Sequence, residues 1–208
     1  MNVLMWEKRG GGYRATTYRE MHGLVHRFAA GLMGLGINKG DRLALIAEGR
    51  NDWLMAEVAI LAIGAVNVPI SVKIDQLSDL KFRLAHSGCR AVVVSKSQLA
   101  KIRQIKKDLP ELEWTILLDP EAEPTADEIF REEILGRGDE VLATRRSEYD
   151  GRRAGVLEND YANICYTSGT TADPKGIILT QRNYTANVDH GRSLVECPEY
   201  FVSLIFLP

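Results

Sequence analysis

Residues 166–180 read YTSGTTADPKGIILT, and the reading of this stretch decides the fold around it. Asn163, Ile164 and Cys165 close an apolar run just before it, and Ile177, Ile178 and Leu179 form another towards its far end. Between those two predicted strands lie residues 168–176, nine positions that hold three hydroxyls, two glycines, one proline and one lysine. Turn residues between apolar runs often mean no more than a hairpin turn. Hairpin loops usually have about two to five residues, however, and this one is longer and dense in hydroxyls. Such a loop, held between buried strands, can surround an anion with backbone N–H groups and hydroxyls, and Lys175 adds a mobile positive charge. Each contact to a phosphate oxygen is charge-assisted and contributes about 1.5–3 kcal/mol, so a handful would hold a triphosphate without deep burial.

The loop is not a Walker A. That motif needs glycine directly before its lysine, so that the backbone wraps the phosphate where a helix begins. Here Pro174 precedes Lys175 and removes an N–H, and Gly176 stands where a magnesium-binding Ser or Thr belongs. A strand rather than a helix is predicted to follow.

The stretch does resemble the signature loop of the AMP-forming (adenylate-forming) synthetases, Y/F-T-S-G-S/T-T-G-x-P-K-G. Tyr166, Thr167, Ser168, Gly169, Thr170 and Thr171 match its first half, and Pro174, Lys175 and Gly176 its second. Ala172 departs from the usual glycine, and Gln181 from the frequent His of the following LTHRN. The alanine restricts φ if the family needs a positive value there, so retained binding with a stiffer loop is expected. The surroundings look most like a long-chain fatty acid–CoA ligase. Thr16-Thr17-Tyr18, Gly36-Ile37-Asn38-Lys39-Gly40-Asp41-Arg42, Trp53 with the apolar run after it, and Gly64-Ala65-Val66-Asn67-Val68-Pro69 support the likeness. The loop is the specific part, since glycine turns and apolar helices occur anywhere.

Composition is that of a water-facing globular domain: 208 residues, 45% hydrophobic and 26% charged, enough to bury a proper core. A net charge of −2 gives no electrostatic footprint for nucleic acid. Cys89, Cys165 and Cys197 are widely spaced and form no CxxC pair, which argues against a disulfide framework or a zinc site and suits a reducing compartment. The N-terminal MNVLMWEKRGGG has no signal-peptide apolar stretch, and no run approaches the length needed to cross a bilayer. The expected location is cytoplasmic.

Along the chain, residues 1–16 are weakly patterned, with Gly10-Gly11-Gly12 as a flexible lead-in. Thr17 and Glu20 predict a capping box, and Met21, Leu24, Val25, Phe28, Leu32 and Leu35 follow at helical spacing until Gly34 and Gly36. His22 and His26 stand at i, i+4 inside this helix, but Gly23 replaces the Glu of HExxH and no third ligand suggests itself, so partly exposed helix histidines are expected. Strands are predicted at 42–47, 65–70, 91–94 and 114–118. Helices are predicted at 52–63 (capped by Asn51 and interrupted by Glu57), after Asp75 as cap and ended by Gly88, and at 97–108. The basic run Lys96, Lys101, Arg103, Lys106 and Lys107 reads as a solvated face. The fold class is therefore α/β, a largely parallel sheet flanked by helices, with strand–helix repeats over 17–118. Residues 119–150 read as a helical excursion, and 160–208 as the phosphate loop, a helix over 181–193 with His190 near its end, and a strand at 200–207.

The resemblance implies a single truncated N-terminal domain over 1–208, with the following chemistry in the full-length parent. A fatty acid carboxylate attacks the α-phosphate of ATP, and the thiol of coenzyme A then displaces AMP. Ser168, Gly169, Thr170 and Thr171 would cradle the β- and γ-phosphates. Lys175 would neutralise them as the catalytic cation, and Thr167 would contact Mg2+. The family's other magnesium ligand, its adenine and ribose contacts and its C-terminal domain have no counterpart in this sequence, so the 208-residue chain alone is expected to be inactive and to self-associate through uncovered apolar surface. The full-length enzyme has room for peripheral membrane contact. Two other readings stay open: an adenylate-forming enzyme for a different carboxylic acid, and a non-catalytic nucleotide-binding module.

Overall fold

The computed structural model describes residues 2–120, 124–167 and 174–194. The predicted strand at 200–207 lies outside them. A two-stranded ribbon, β1 (Val3–Arg9) and β2 (Gly12–Thr17), precedes α1 (Tyr18–Gly34). Strands and helices then alternate: β3 (Arg42–Ile46), α2 (Asn51–Ala62), β4 (Val66–Pro69), α3 (Leu77–Ser87), β5 (Cys89–Val94), α4 (Lys96–Ile105) and β6 (Trp114–Leu117). Next come β7 (Glu128–Phe130), α5 (Arg131–Thr144), α6 (Arg146–Ala154), β8 (Tyr161–Thr167), β9 (Lys175–Thr180) and α7 (Gln181–Leu194).

Seven strands form one sheet in the order β7-β6-β5-β3-β4-β8-β9. Every neighbouring pair is parallel except β8 with β9. A parallel sheet hides both faces under its crossover helices, so its strands are apolar on both sides. The side chains alternate accordingly. Leu43, Leu45, Ala91, Val93 and Ile116 join a core with α1, α2 and α5. Their neighbours Ala44, Ile46, Val92, Val94 and Leu117 join a second core with α3 and α4.

Three differences from the sequence expectations have local causes. Residues 1–16 are not a loose lead-in: Trp6 pairs with Ala15 and Lys8 with Tyr13 in an antiparallel ribbon. Gly10 and Gly11 turn it with φ of 58° and 85°, the conformation a tight hairpin demands of both central residues. Residues 128–130 add an edge strand inside the stretch read as purely helical, and Glu128 there is held by Arg103 at 2.7 Å. Neither Asn51 nor Asp75 caps a helix. Asn51 sits one position inside α2 and donates from Nδ2 to Thr16 Oγ1 at 2.7 Å, while Asp75 pairs with Lys101 at 2.9 Å.

The capping box at the start of α1 is present: Glu20 N–H donates to Thr17 Oγ1 at 3.2 Å, and Thr17 N–H donates to Glu20 Oε2 at 2.7 Å. Helices α1 and α5 touch through glycine. A Cβ on Gly31 would lie 2.0 Å from the Ile134 carbonyl oxygen, and one on Gly138 would lie 1.8 Å from that of Arg27. On α4 and just after it, basic residues are engaged rather than free-standing: Lys101 pairs with Asp75, Arg103 with Glu128, and Lys106, which follows the helix, with Asp127 at 2.5 Å.

Candidate functional site

The hairpin β8–β9 is the frame of the candidate site. Its last register pair sets Thr167 opposite Lys175, and the pair before it sets Tyr166 opposite Gly176. Residues 168–174 span the gap from one strand to the other. Ser168, Gly169, Thr170 and Thr171 lie outside the described residues, so the frame rather than the loop carries the geometry. Parallel pairing with β4 is confined to Asn67 and Asn163, which leaves the loop end of β8 projecting beyond its neighbour. Thr167 and Lys175 are both exposed, and Lys175 has no ion-pair partner among the described residues. An exposed hydroxyl and an uncommitted ammonium at the two feet of the loop are suited to a polyanion. They also fit a magnesium-bound triphosphate as far as they go, although no group of three His, Cys, Asp or Glu able to hold a metal occurs among the described residues.

The frame is anchored differently on its two faces, because successive side chains of β8 point opposite ways. On the α3 face, Tyr166 joins its phenol to His86 Nδ1 at 2.8 Å and donates to the Arg83 carbonyl oxygen at 3.3 Å, with the Arg83 guanidinium 5.2 Å from its ring centre. Burial pushes the Tyr166 phenol above its ordinary pKa. Gly176 leaves room for this arrangement. A Cβ there would stand 3.0 Å from Ile164 Cγ2 and 3.5 Å from Tyr166 Cζ, so the glycine after Lys175 answers to the packing of β8.

On the other face lies a polar cluster that the sequence reading did not assemble. Asn163, 1% exposed, donates from Nδ2 to the Tyr184 phenol of α7 at 2.8 Å. Tyr184 in turn donates to Glu57 Oε1 at 3.2 Å, and Asn67 donates to the same oxygen at 3.3 Å. Burial raises the Glu57 pKa although both hydrogen bonds oppose it. Burial and the neighbouring Glu57 push Tyr184 up to about 12. Cys165 donates its thiol to Asn163 Oδ1 at 3.0 Å and is held above its usual pKa, first by burial and then by Glu57. These bonds tie α2, β4, β8 and α7 together on one face of the β8–β9 frame. The signal in the sequence was Glu57 itself, a carboxylate inside an otherwise apolar helix.

Helix α7 starts where β9 ends. Gln181 and Arg182 donate their N–H groups to the carbonyls of Asp160 and Glu158, at 2.9 and 2.8 Å, which returns the chain to the foot of β8. Gln181, where the resembled signature often has His, lines an open cleft of about 590 Å³ with Val58, Leu61, Arg153 and Val156, and its Nε2 is buried without a partner among the described residues. The second cleft, about 470 Å³, lies at the carboxyl ends of β3, β5 and β6, where open α/β sheets often bind ligands. Its polar groups are already engaged: Ser97 Oγ donates to Glu48, and the Lys96 N–H to Asp119 at 2.8 Å.

A largely parallel sheet that closes on the antiparallel hairpin β8–β9 is the class of fold, and comparison places it. The chain belongs to the AMP-binding enzyme family, which it matches over residues 3–208. It is 30% identical over 184 residues to the chloroplastic long-chain-fatty-acid–[acyl-carrier-protein] ligase AEE15 of Arabidopsis thaliana, covering 84% of this chain and 25% of that protein. It is 29% identical over 204 residues to the peroxisomal long chain acyl-CoA synthetase 7 of the same plant, covering 95% of this chain and 28% of that one. The crystal structure of the anthranilate CoA ligase AuaEII with anthranoyl-AMP shares the fold, with a TM-score of 0.70 at 20% identity over 85% of this chain and 32% of that one. The chain thus spans roughly a quarter of the length of these curated relatives.

Proposed function

We propose that this chain is the N-terminal part of an AMP-forming ligase that activates a long-chain fatty acid with ATP and transfers the acyl group to coenzyme A. The observation that carries the reading is the Thr167–Lys175 register pair, which sets an exposed hydroxyl and an exposed ammonium at the feet of residues 168–174. The family membership and the names of its relatives support the same reading.

The first step is displacement at phosphorus. A carboxylate oxygen bonds to the α-phosphorus of ATP as the bond to pyrophosphate breaks, and the coenzyme A thiolate later attacks the acyl carbon and expels AMP. Negative charge accumulates on the departing pyrophosphate, so positioning and neutralisation supply most of the rate enhancement. In this proposal Ser168, Gly169, Thr170 and Thr171 hold the β- and γ-phosphate oxygens. Lys175 would neutralise them from β9, and Thr167 would contribute its hydroxyl to Mg2+. The ion supplies Lewis-acid stabilisation when bound. Tyr166, Gly176 and the Tyr184–Glu57 cluster position the hairpin and do not touch the nucleotide.

The cytoplasm is the proposed compartment, on the three widely spaced cysteines, and contact of the full-length enzyme with membrane lipid belongs to the same proposal. The chain is proposed to be prone to self-association, because Ile177, Ile178 and Val188 are exposed at 47%, 49% and 60%. Acid-dependent pyrophosphate release by the full-length protein, measured over a panel of carboxylic acids, tests the assignment. A maximum among long-chain fatty acids is expected. A maximum for an aromatic acid, the substrate class named for AuaEII, would reassign the substrate, and no release with any acid would sink the reading.

A further inference from the structure

On α1, His22 and His26 bring their Nε2 atoms to 3.0 Å, with ring centroids 4.2 Å apart and planes inclined by 66°. Two nitrogens bound to one ion at about 2.1 Å must lie about 3.0–3.4 Å apart for bond angles between square and tetrahedral. The pair therefore already has a chelate's bite. His22 is exposed and His26 half-buried, so the outward side is open to solvent that can fill the remaining coordination positions.

The far nitrogen of His26 is also fixed. Its Nδ1 lies 2.5 Å from the hydroxyl of Tyr149 on α6, a side chain with no exposed surface. A histidine ligand is usually oriented in this way, through a hydrogen bond made by the nitrogen that does not bind the metal. We infer that His22 and His26 form a two-histidine chelating site for one divalent transition-metal ion of the Zn2+, Ni2+ or Cu2+ type, oriented by Tyr149 and independent of the nucleotide loop.

Protons balance without net release. Without metal, Tyr149 donates its O–H to His26 Nδ1, and His26 Nε2–H donates to His22 Nε2. On binding, the His26 proton moves from Nε2 to Nδ1 and is donated to the Tyr149 oxygen, whose own O–H turns away from the ring, while His22 keeps its proton on Nδ1. Both Nε2 lone pairs then face the ion. The charged groups around the pair are Arg146, Arg153 and Asp150, with Arg146 paired to Asp150 at 2.8 Å. The excess positive charge limits affinity.

Titration of the chain with Ni2+ and Zn2+ by calorimetry, together with electron paramagnetic resonance of a Cu2+ complex, tests the site. One ion per chain is expected, with nitrogen coupling from two imidazoles. His22→Ala, an exposed change that leaves the fold intact, should lower affinity at least 10-fold and leave one coupled nitrogen. Tyr149→Phe should weaken binding about 10-fold if its circular dichroism matches the parent. Absence of binding, or binding unchanged in His22→Ala and in the His22→Ala/His26→Ala pair, would overturn the assignment.

Discussion

Tyr184 on α7 donates a 3.2 Å hydrogen bond to Glu57 Oε1 on α2 across 127 positions of sequence. It meets there the amide of Asn67, which donates to the same oxygen. The carboxyl sits where burial favours its neutral form, and its folded pKa lies above the ordinary carboxylate value. The sign follows from linkage. A carboxyl whose pKa rises on folding binds more protons in the native state, so its favourable contribution is complete below the unfolded pKa and disappears as pH climbs through the folded one. Glu57→Gln keeps an acceptor for Tyr184 and Asn67 but removes the titration. The variant is expected to lose the decline in stability that begins near the ordinary Glu pKa and runs upward, and to be the more stable protein at neutral pH. Urea unfolding at a series of pH values checks this, and parallel curves for the two proteins would refute it.

At the loop, Lys175 is an exposed cation without an ion-pair partner among the described residues. Its removal should leave the fold alone and reach only the nucleotide. A charge-assisted contact contributes about 1.5–3 kcal/mol, so Lys175→Ala in the full-length enzyme should lower kcat/KM for ATP by about 10–100-fold, with partial recovery in Lys175→Arg. The melting temperature should not move. An unchanged rate and ATP affinity would remove Lys175 from the site.

Four helix glycines give an internally controlled test of the α1–α5 contact. At Gly31 and Gly138 a Cβ would fall 2.0 and 1.8 Å from a backbone oxygen of the facing helix, whereas at Gly23 and Gly136 it meets nothing within 4 Å. Alanine is worth about 1 kcal/mol over glycine in a helix interior. Gly23→Ala and Gly136→Ala should therefore stabilise by up to that amount. Gly31→Ala and Gly138→Ala must push two backbones apart, a strain of about 1–3 kcal/mol or more, and should lower the melting temperature by several degrees. Thermal unfolding of the four variants should split them into two pairs of opposite sign.

The sheet was legible because its strands are apolar on both faces and the turns between them are glycine-rich. Each of β3 to β6 was read within about two residues of its bounds, the uncertainty common at element ends. The ribbon β1–β2 escaped because Trp6, Glu7, Lys8 and Arg14 mask any apolar alternation, and only Gly10-Gly11 hints at the turn. Strand β7, three residues long, gives too little pattern to register. The family was legible in the residues of the loop, but the support of the hairpin was not. Tyr184, Asn163 and Glu57 are polar residues of different elements, and no spacing rule relates positions that meet only once the sheet has closed. Gly31 and Gly138 were equally silent, since a glycine inside a helix looks the same whether a neighbour touches it or not.

Gly176 poses a closer contest between two small effects. It is paired with Tyr166 in β9, where alanine would ordinarily be favoured over glycine by about 0.5–1 kcal/mol of backbone entropy. Against this, its Cβ would stand 3.0 Å from Ile164 Cγ2, close enough that β8 must yield. Overpacking typically costs about 1–3 kcal/mol, so Gly176→Ala alone should be neutral to destabilising by up to about 2 kcal/mol. Shortening Ile164 to Ala removes the opposing methyl. In that background Gly176→Ala should turn stabilising by about 0.5 kcal/mol. A double-mutant cycle by urea unfolding isolates the pairwise part, and a coupling of at least about 0.5 kcal/mol is expected. Strict additivity would mean that Gly176 is there for a reason other than the packing of β8, and would move the explanation to the nucleotide side of the hairpin.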